Sequence, residues 1–425
     1  MRAWPRQLTA ASQNIRAEID SHATRRMHGK RQLPMKARYA GLPLLSYGFR
    51  PFFLGAALWA VLAMLLWIGS LAGFWQLAPG YGALAWHAHE MLFGYTSAVV
   101  AGFLLTAVPN WTGRLPVAGW RLALLFSLWV FARMAFLATG GIGVLPAILI
   151  DSLFLPCLLV VMAREIMAGR NWRNLPPLIL VGLLGAANIG FHTEVLIGGA
   201  PDIATRVAVA ALIGLIMLIG GRITPSFTHS WLLRTGSPHL PAAFGLIDKL
   251  ALIASGLALV LWIVAPTMLA TGILFLAAAA AQVGRLWRWG GVHARREPLV
   301  LILHLGYAFV PLGFLLGAAS ILFPGTLAGT AALHAWTVGA VGLMTLGVMT
   351  RATRGHTGRD LTASKCTVAI YAAMIAAALL RIAAGAFPQS YMVMLEAAGA
   401  AWITAFALFL FEYAPMLLGP RAERS

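Results

Sequence analysis

The stretch Trp86-His87-Ala88-His89-Glu90-Met91-Leu92-Phe93-Gly94 opens a run that carries no further charge until Arg114. A run of this length and apolar content matches the roughly 20 residues a helix needs to cross the hydrocarbon core of a bilayer. Two imidazoles and a carboxylate at its mouth are costly there, so they read as functional by default.

Composition extends that reading to the whole chain. Of 425 residues, 60% are hydrophobic and only 10% charged, and the mean hydropathy is +0.81. These values exclude a soluble domain with a polar surface and predict an all-α polytopic membrane protein. Cys157 and Cys366 stand far apart with no C-x-x-C, which argues against a disulfide framework, a thiolate metal cage and c-type haem attachment. A haem in this chain is then held by coordination alone.

Runs of spanning length fall at 52–75, 88–108, 118–138, 142–166, 178–198, 204–222, 244–264, 267–287, 299–322, 331–350, 366–386 and 393–416, which makes twelve spans. They form a single membrane domain over 43–418, between a basic arm at 1–42 with no cleavable signal and a short tail at 419–425. Connections alternate in charge. Those at 109–117, 164–177, 222–243, 285–298 and 351–365 carry arginine or lysine, whereas those at 76–87, 139–141, 199–203, 265–266, 323–330 and 387–392 carry none. With both termini on the basic side, every Lys and Arg except Arg133, Arg206 and Arg381 lies there, and the positive-inside rule predicts cytoplasmic termini. The net charge of +18 is thus a topology signal and not a nucleic-acid footprint.

This topology sorts the histidines. His87 and His89 begin span two, His192 and Glu194 lie near the outer end of span five, and His334 opens span ten, so four imidazoles share one depth at the outer face. His229, His239, His293 and His356 fall in cytoplasmic loops, His304 in the inner third of span nine, and His22 and His28 in the arm, which makes them weaker candidates. At 100° per residue His87 and His89 point roughly 200° apart, so one regular helix cannot aim both at a single metal. Service in two separate sites is one reading of the pair. His87 shares its face with Glu90, and His89 shares its face with Phe93 and Thr96. Neutral imidazole ligates iron and copper, with Glu90 or Glu194 as a ligand or an orienting partner. The bland alternative is a set of interfacial histidines bonded to loop carbonyls.

Three membrane arginines remain. Arg133 with Asp151, Arg381 with Glu396, and Arg206 with Glu194 or Asp202 are read as ion pairs, the alternative being contact with haem propionates or a small anion. On the inner side, Gly220-Gly221-Arg222-Ile223-Thr224-Pro225 and Met349 to Arg359 are expected to end spans six and ten. The sharper reading of Arg222, Arg351, His356 and Arg359 is an anion or second metal site.

Four segments resemble the NnrS family of bacterial membrane proteins: Leu44 to Phe53 (LLSYGFRPFF), Trp86 to Gly94 running on to Pro109-Asn110-Trp111-Thr112-Gly113, Gly220-Gly221-Arg222, and His334-Ala335-Trp336-Thr337-Val338-Gly339 running on to Gly355-His356-Thr357-Gly358-Arg359. The resemblance spans about residues 43 to 418. It implies twelve spans and a haem- and copper-containing inner-membrane protein linked to nitric oxide, in denitrifying or nitrosatively stressed bacteria. The layout is also similar to haem–copper oxidase cores, which carry haem ligands on spans two and ten, although no adjacent His-His pair or His-Pro-Glu element is present here. From these likenesses the expectation is a b-type haem with His334 as one axial ligand and His87 or His89 as the other, or as part of a copper site with His192. Nitric oxide or a nitrosylated metal species would react near the outer face. A metal, haem or small-molecule transporter and a nitric oxide reductase are the competing expectations, and no catalytic residue is assigned.

Overall fold

The computed structural model describes residues 41–325 and 329–422. The arm to residue 40, with His22 and His28, and the last three residues of the tail lie outside the described residues. Among the described residues the chain is helical without strands, and twelve helices are long and apolar enough to cross a membrane. They are α1 (Phe49–Leu71), α2 (Ala83–Thr112), α3 (Trp120–Leu137), α4 (Val144–Ala168), α5 (Trp172–Leu196), α6 (Asp202–Arg234), α7 (Leu246–Val264), α8 (Leu269–Trp287), α9 (Pro298–Leu322), α10 (Gly329–His356), α11 (Lys365–Ala384) and α12 (Pro388–Leu418). The chain is a multi-pass membrane protein, and each helix overlaps one expected span.

Burial separates the centre from the rim. The most apolar window of α2 is 78% buried, while that of α7 is 28% buried. The rim helices turn large apolar side chains outward, among them Leu124 and Phe131 on α3, Leu149 on α4, and Ile253 and Leu257 on α7. So much outward apolar surface suits contact with lipid rather than water.

Helices α2 and α10, both largely buried, share a local feature. Each begins as an α-helix and then widens to a π-helix, at Glu90–Tyr95 and at Ala335–Gly342, directly after His89 and His334. A π segment loosens the backbone ladder, and carbonyls at membrane depth need other donors. In α2, Trp129 Nε1 donates to Gly94 O at 2.9 Å, Thr96 Oγ1 to Met91 O at 2.8 Å, and Ser97 Oγ to Phe93 O. In α10, Thr337 Oγ1 donates to Leu333 O at 3.0 Å and Thr345 Oγ1 to Val341 O at 2.7 Å. Tyr95 and Thr345 then join the two helices through their hydroxyls at 2.6 Å.

One expectation fails here. Gly220-Gly221 and Pro225 do not end the sixth span, since α6 continues to Arg234, whereas α10 does end within the expected Met349 to Arg359 segment, at His356. The physical reason is a third π segment, Ile216–Gly220, whose Met217 carbonyl accepts from Arg285 Nη1 at 3.0 Å. With that carbonyl satisfied from α8, the ladder carries through Gly-Gly, and Pro225 is accommodated inside the helix. Arg222 donates to Asn174 Oδ1 at 3.0 Å, Arg351 stacks on the Phe227 ring at 4.1 Å, and His356 packs against Tyr47 and Phe49. Arg359 keeps a buried Nη1 without a partner among the described residues. Arg222, Arg351 and His356 thus serve three different local contacts.

Candidate metal centre

The two histidines of α2 face different chambers. His89 enters a polar group set among α2, α3, α4 and α5. Its Nε2 lies 3.1 Å from Asp151 Oδ2 and 2.9 Å from Asn188 Oδ1, and its Nδ1 lies 3.0 Å from Glu90 Oε1. His192 Nε2 also lies 3.1 Å from Asp151 Oδ2. His89, Asp151 and His192 are buried, and each offers a ligand atom within 4.8 Å of the others. Two imidazoles and a carboxylate at that spacing can close on one cation. Nitrogen and oxygen donors of this kind suit Cu(II) or Zn(II) better than Cu(I), which takes sulfur ligands.

The surroundings hold that group rigid. Arg133 reaches back from the end of α3, with Nη1 2.5 Å from Glu90 Oε2 and Nη2 bonded to Asp151 Oδ1. Trp59 Nε1 donates to Glu90 Oε2 at 2.7 Å, and Asn188 Nδ2 to Asp151 Oδ2 at 2.8 Å. Gly94 permits this approach, because a Cβ there would meet Glu90 Oε2 at 2.5 Å and Arg133 Nη1 at 2.7 Å. Phe136 stacks on His192 at 5.6 Å and Phe191 meets His89 edge-on at 5.7 Å, so apolar walls keep water away. One guanidinium faces two carboxylates, which leaves one negative charge over. A proton on His89, whose two nitrogens both point at acceptors, balances it; so would a bound metal cation.

His87 turns the other way. Its ring stacks on Trp67 at 4.5 Å and 16°, and neither ring nitrogen has a hydrogen-bond partner among the described residues. His87 and His334 line one cavity of about 370 Å³ together with Met91, Tyr95, Arg381 and Trp402. His334 Nδ1 lies 2.7 Å from Thr330 O. A carbonyl only accepts, so Nδ1 carries the proton and Nε2 is left as a lone-pair donor, the arrangement in which a ligating histidine is usually oriented. The cavity fits a b-type haem by its chemistry: two imidazoles from α2 and α10, an apolar lining, and an arginine with an unpartnered buried Nη1 for an anionic substituent.

The four imidazoles expected at one depth therefore divide into two pairs, His87 with His334 and His89 with His192. Glu90 does not join the close ligand group, because its oxygens are taken by His89, Trp59 and Arg133. Arg133 does pair with Asp151, as the sequence reading has it. The other two expected pairs are not formed. Arg381 lies over the Tyr391 ring at 5.7 Å and makes no ion pair with Glu396. Glu194 instead accepts from the amides of Ile203 and Ala204 at 3.2 and 2.9 Å, where the positive end of α6 draws a carboxylate, and Arg206 donates to Ile263 O at 3.3 Å. Sequence reasoning missed Asn188 and Tyr81. Asn188 was findable, since it precedes His192 by one helical turn and shares its face. Tyr81 Oη lies 2.9 Å from His192 Nδ1, and nothing in its loop sequence announces it.

The family model described as NnrS protein matches residues 43–421, nearly the whole chain and all twelve helices. No match among curated proteins accompanies it. By that match the chain belongs to the NnrS family.

Proposed function

We propose that this protein, in the inner membrane of a bacterium with both termini cytoplasmic, holds a non-covalent b-type haem and copper and acts on nitric oxide or a nitrosylated metal species during nitrosative stress. The observation that carries the reading is the division of His87 and His89 between two chambers: an apolar cavity that it shares with His334, and a compact polar group with His192 and Asp151. In this reading His87 and His334 hold the haem, and Arg381 meets a propionate. His89, His192 and Asp151 hold copper, while Arg133 and Glu90 fix their positions. A haem held there by His87 and His334 would supply gas binding or electron transfer. The charge-free connections lie at the ends of α2, α5 and α10 that carry these residues, which supports the periplasmic side for both chambers.

The expected results are separable. Purified protein shows a b-type haem absorption spectrum, which His87→Ala and His334→Ala abolish or shift and His89→Ala and His192→Ala leave in place. Copper measured by mass spectrometry follows the opposite pattern. A full-strength haem spectrum in both cavity variants overturns the haem assignment, and copper retained in both polar-group variants overturns the copper assignment. Amperometric nitric oxide consumption with an artificial electron donor then separates turnover from binding.

A further inference from the structure

Tyr81 lies outside the membrane-crossing helices, in the turn that leads into α2, yet it is only 4% exposed. Its ring meets Phe136 at 5.1 Å, His192 at 5.9 Å and His89 at 6.1 Å. The turn is built to hold it. The amides of Tyr81 and Gly82 both donate to Ala78 O, at 3.0 and 3.1 Å, and Ala78, Gly80 and Gly82 all have positive φ, of 45°, 80° and 92°. Left-handed backbone is cheap for the two glycines and mildly strained for Ala78, which is itself buried against the core. A phenol ordinarily keeps its proton at neutral pH, so the hydroxyl can both donate and accept.

That proton matters for His192. As the group stands, His192 Nε2 faces the Asp151 carboxylate, which only accepts, so Nε2 carries hydrogen and Nδ1 accepts from Tyr81. A cation bound at Nε2 requires the other tautomer, with hydrogen on Nδ1, and the partner must then accept. A carbonyl serves only the second state and an amide N–H only the first. A hydroxyl serves both by rotating. The tyrosine is therefore a partner that keeps Nδ1 satisfied through metal loading and release, while its ring covers the group on the side from which α2 starts.

We infer that Tyr81 is the positioning residue for His192 and the cover of the His89–Asp151–His192 group, an inference that rests on the reading of that group as a metal site. Removing the hydroxyl leaves Nδ1 without a partner among aromatic rings, and losing such an orienting bond lowers metal affinity by about 10- to 100-fold.

The test titrates purified wild type, Tyr81→Phe, Tyr81→Gln, Tyr81→Ala and His192→Ala with Cu(II) against a competing chelator, and follows the copper by electron paramagnetic resonance. Circular dichroism verifies the fold of each variant. In Tyr81→Phe, affinity falls by about 10- to 100-fold with a changed copper spectrum while the ring still covers the site. Tyr81→Ala loses at least as much affinity and also releases copper faster to the chelator. Tyr81→Gln, whose amide can donate or accept, recovers part of the affinity that alanine loses. Wild-type affinity and spectrum in Tyr81→Phe overturn the inference alone, and so does a glutamine variant no better than alanine. Copper binding unchanged by His192→Ala overturns the inference together with the metal reading beneath it.

Discussion

Replacing Arg133 with methionine is expected to lower stability by about 3–5 kcal/mol, the usual cost of breaking a buried ion pair by removing one partner. Arg133 is 1% exposed and spans Glu90 and Asp151, both equally hidden. Without the guanidinium two carboxylates face each other in a pocket walled by Phe136 and Phe93, and at least one must take up a proton. Methionine keeps much of the arginine stem's packing, so the loss reports the charge. Thermal unfolding in detergent measures it. The double variant Arg133→Met/Asp151→Leu is expected to recover a substantial part of the loss, because it removes one stranded charge along with the guanidinium. Strict additivity of the two single changes would argue that Arg133 contributes by packing alone.

A second large effect is expected at the opposite end of the helices, where Asp248→Ala should cost about 3 kcal/mol. Asp248, near the start of α7, is 4% exposed and accepts from Gly245 N at 2.9 Å, Arg285 Nε at 3.2 Å and Arg288 Nη1 at 2.8 Å. Arg285 is the more deeply buried of the two arginines, and it extends the network to Tyr307 Oη at 2.7 Å and to the Met217 carbonyl at the π segment of α6. Tyr307 continues it to Gln282 Oε1 at 2.7 Å, and Gln282 to Ser255 Oγ at 2.9 Å. Alanine strands two cations together. Asparagine retains the shape and one acceptor and should cost roughly half as much. The same detergent melts check both, and a loss within about 0.5 kcal/mol for Asp248→Ala, the range of ordinary surface changes, would deny the network its structural weight.

The sequence reading of the helices succeeded wherever a length and polarity rule applied and failed where a distant side chain intervened. Twelve spans were legible because a membrane helix must satisfy its own backbone and cover itself in apolar residues over a set thickness, both local demands. The continuation of α6 past Gly220-Gly221 was not, since it depends on Arg285 reaching a carbonyl from α8. Glu194 shows the same limit. Arg206 is a plausible partner by proximity in sequence, but the amides at the start of α6 are nearer in space and take the carboxylate.

At the candidate centre the division of labour is similar. The sequence by itself determined that His87 and His89 diverge, because two residues of helix turn a side chain through roughly 200°. It also determined the helical membrane class. Only the tertiary structure decided which imidazole meets which: His87 with His334 in an apolar cavity, and His89 with His192 and Asp151 in a charged group. The reason is physical. Direction around a helix follows from local geometry, whereas partnership depends on how helices far apart in the chain pack, and on charge balance and tautomers that exist only once Arg133, Asn188 and Tyr81 have closed around the group.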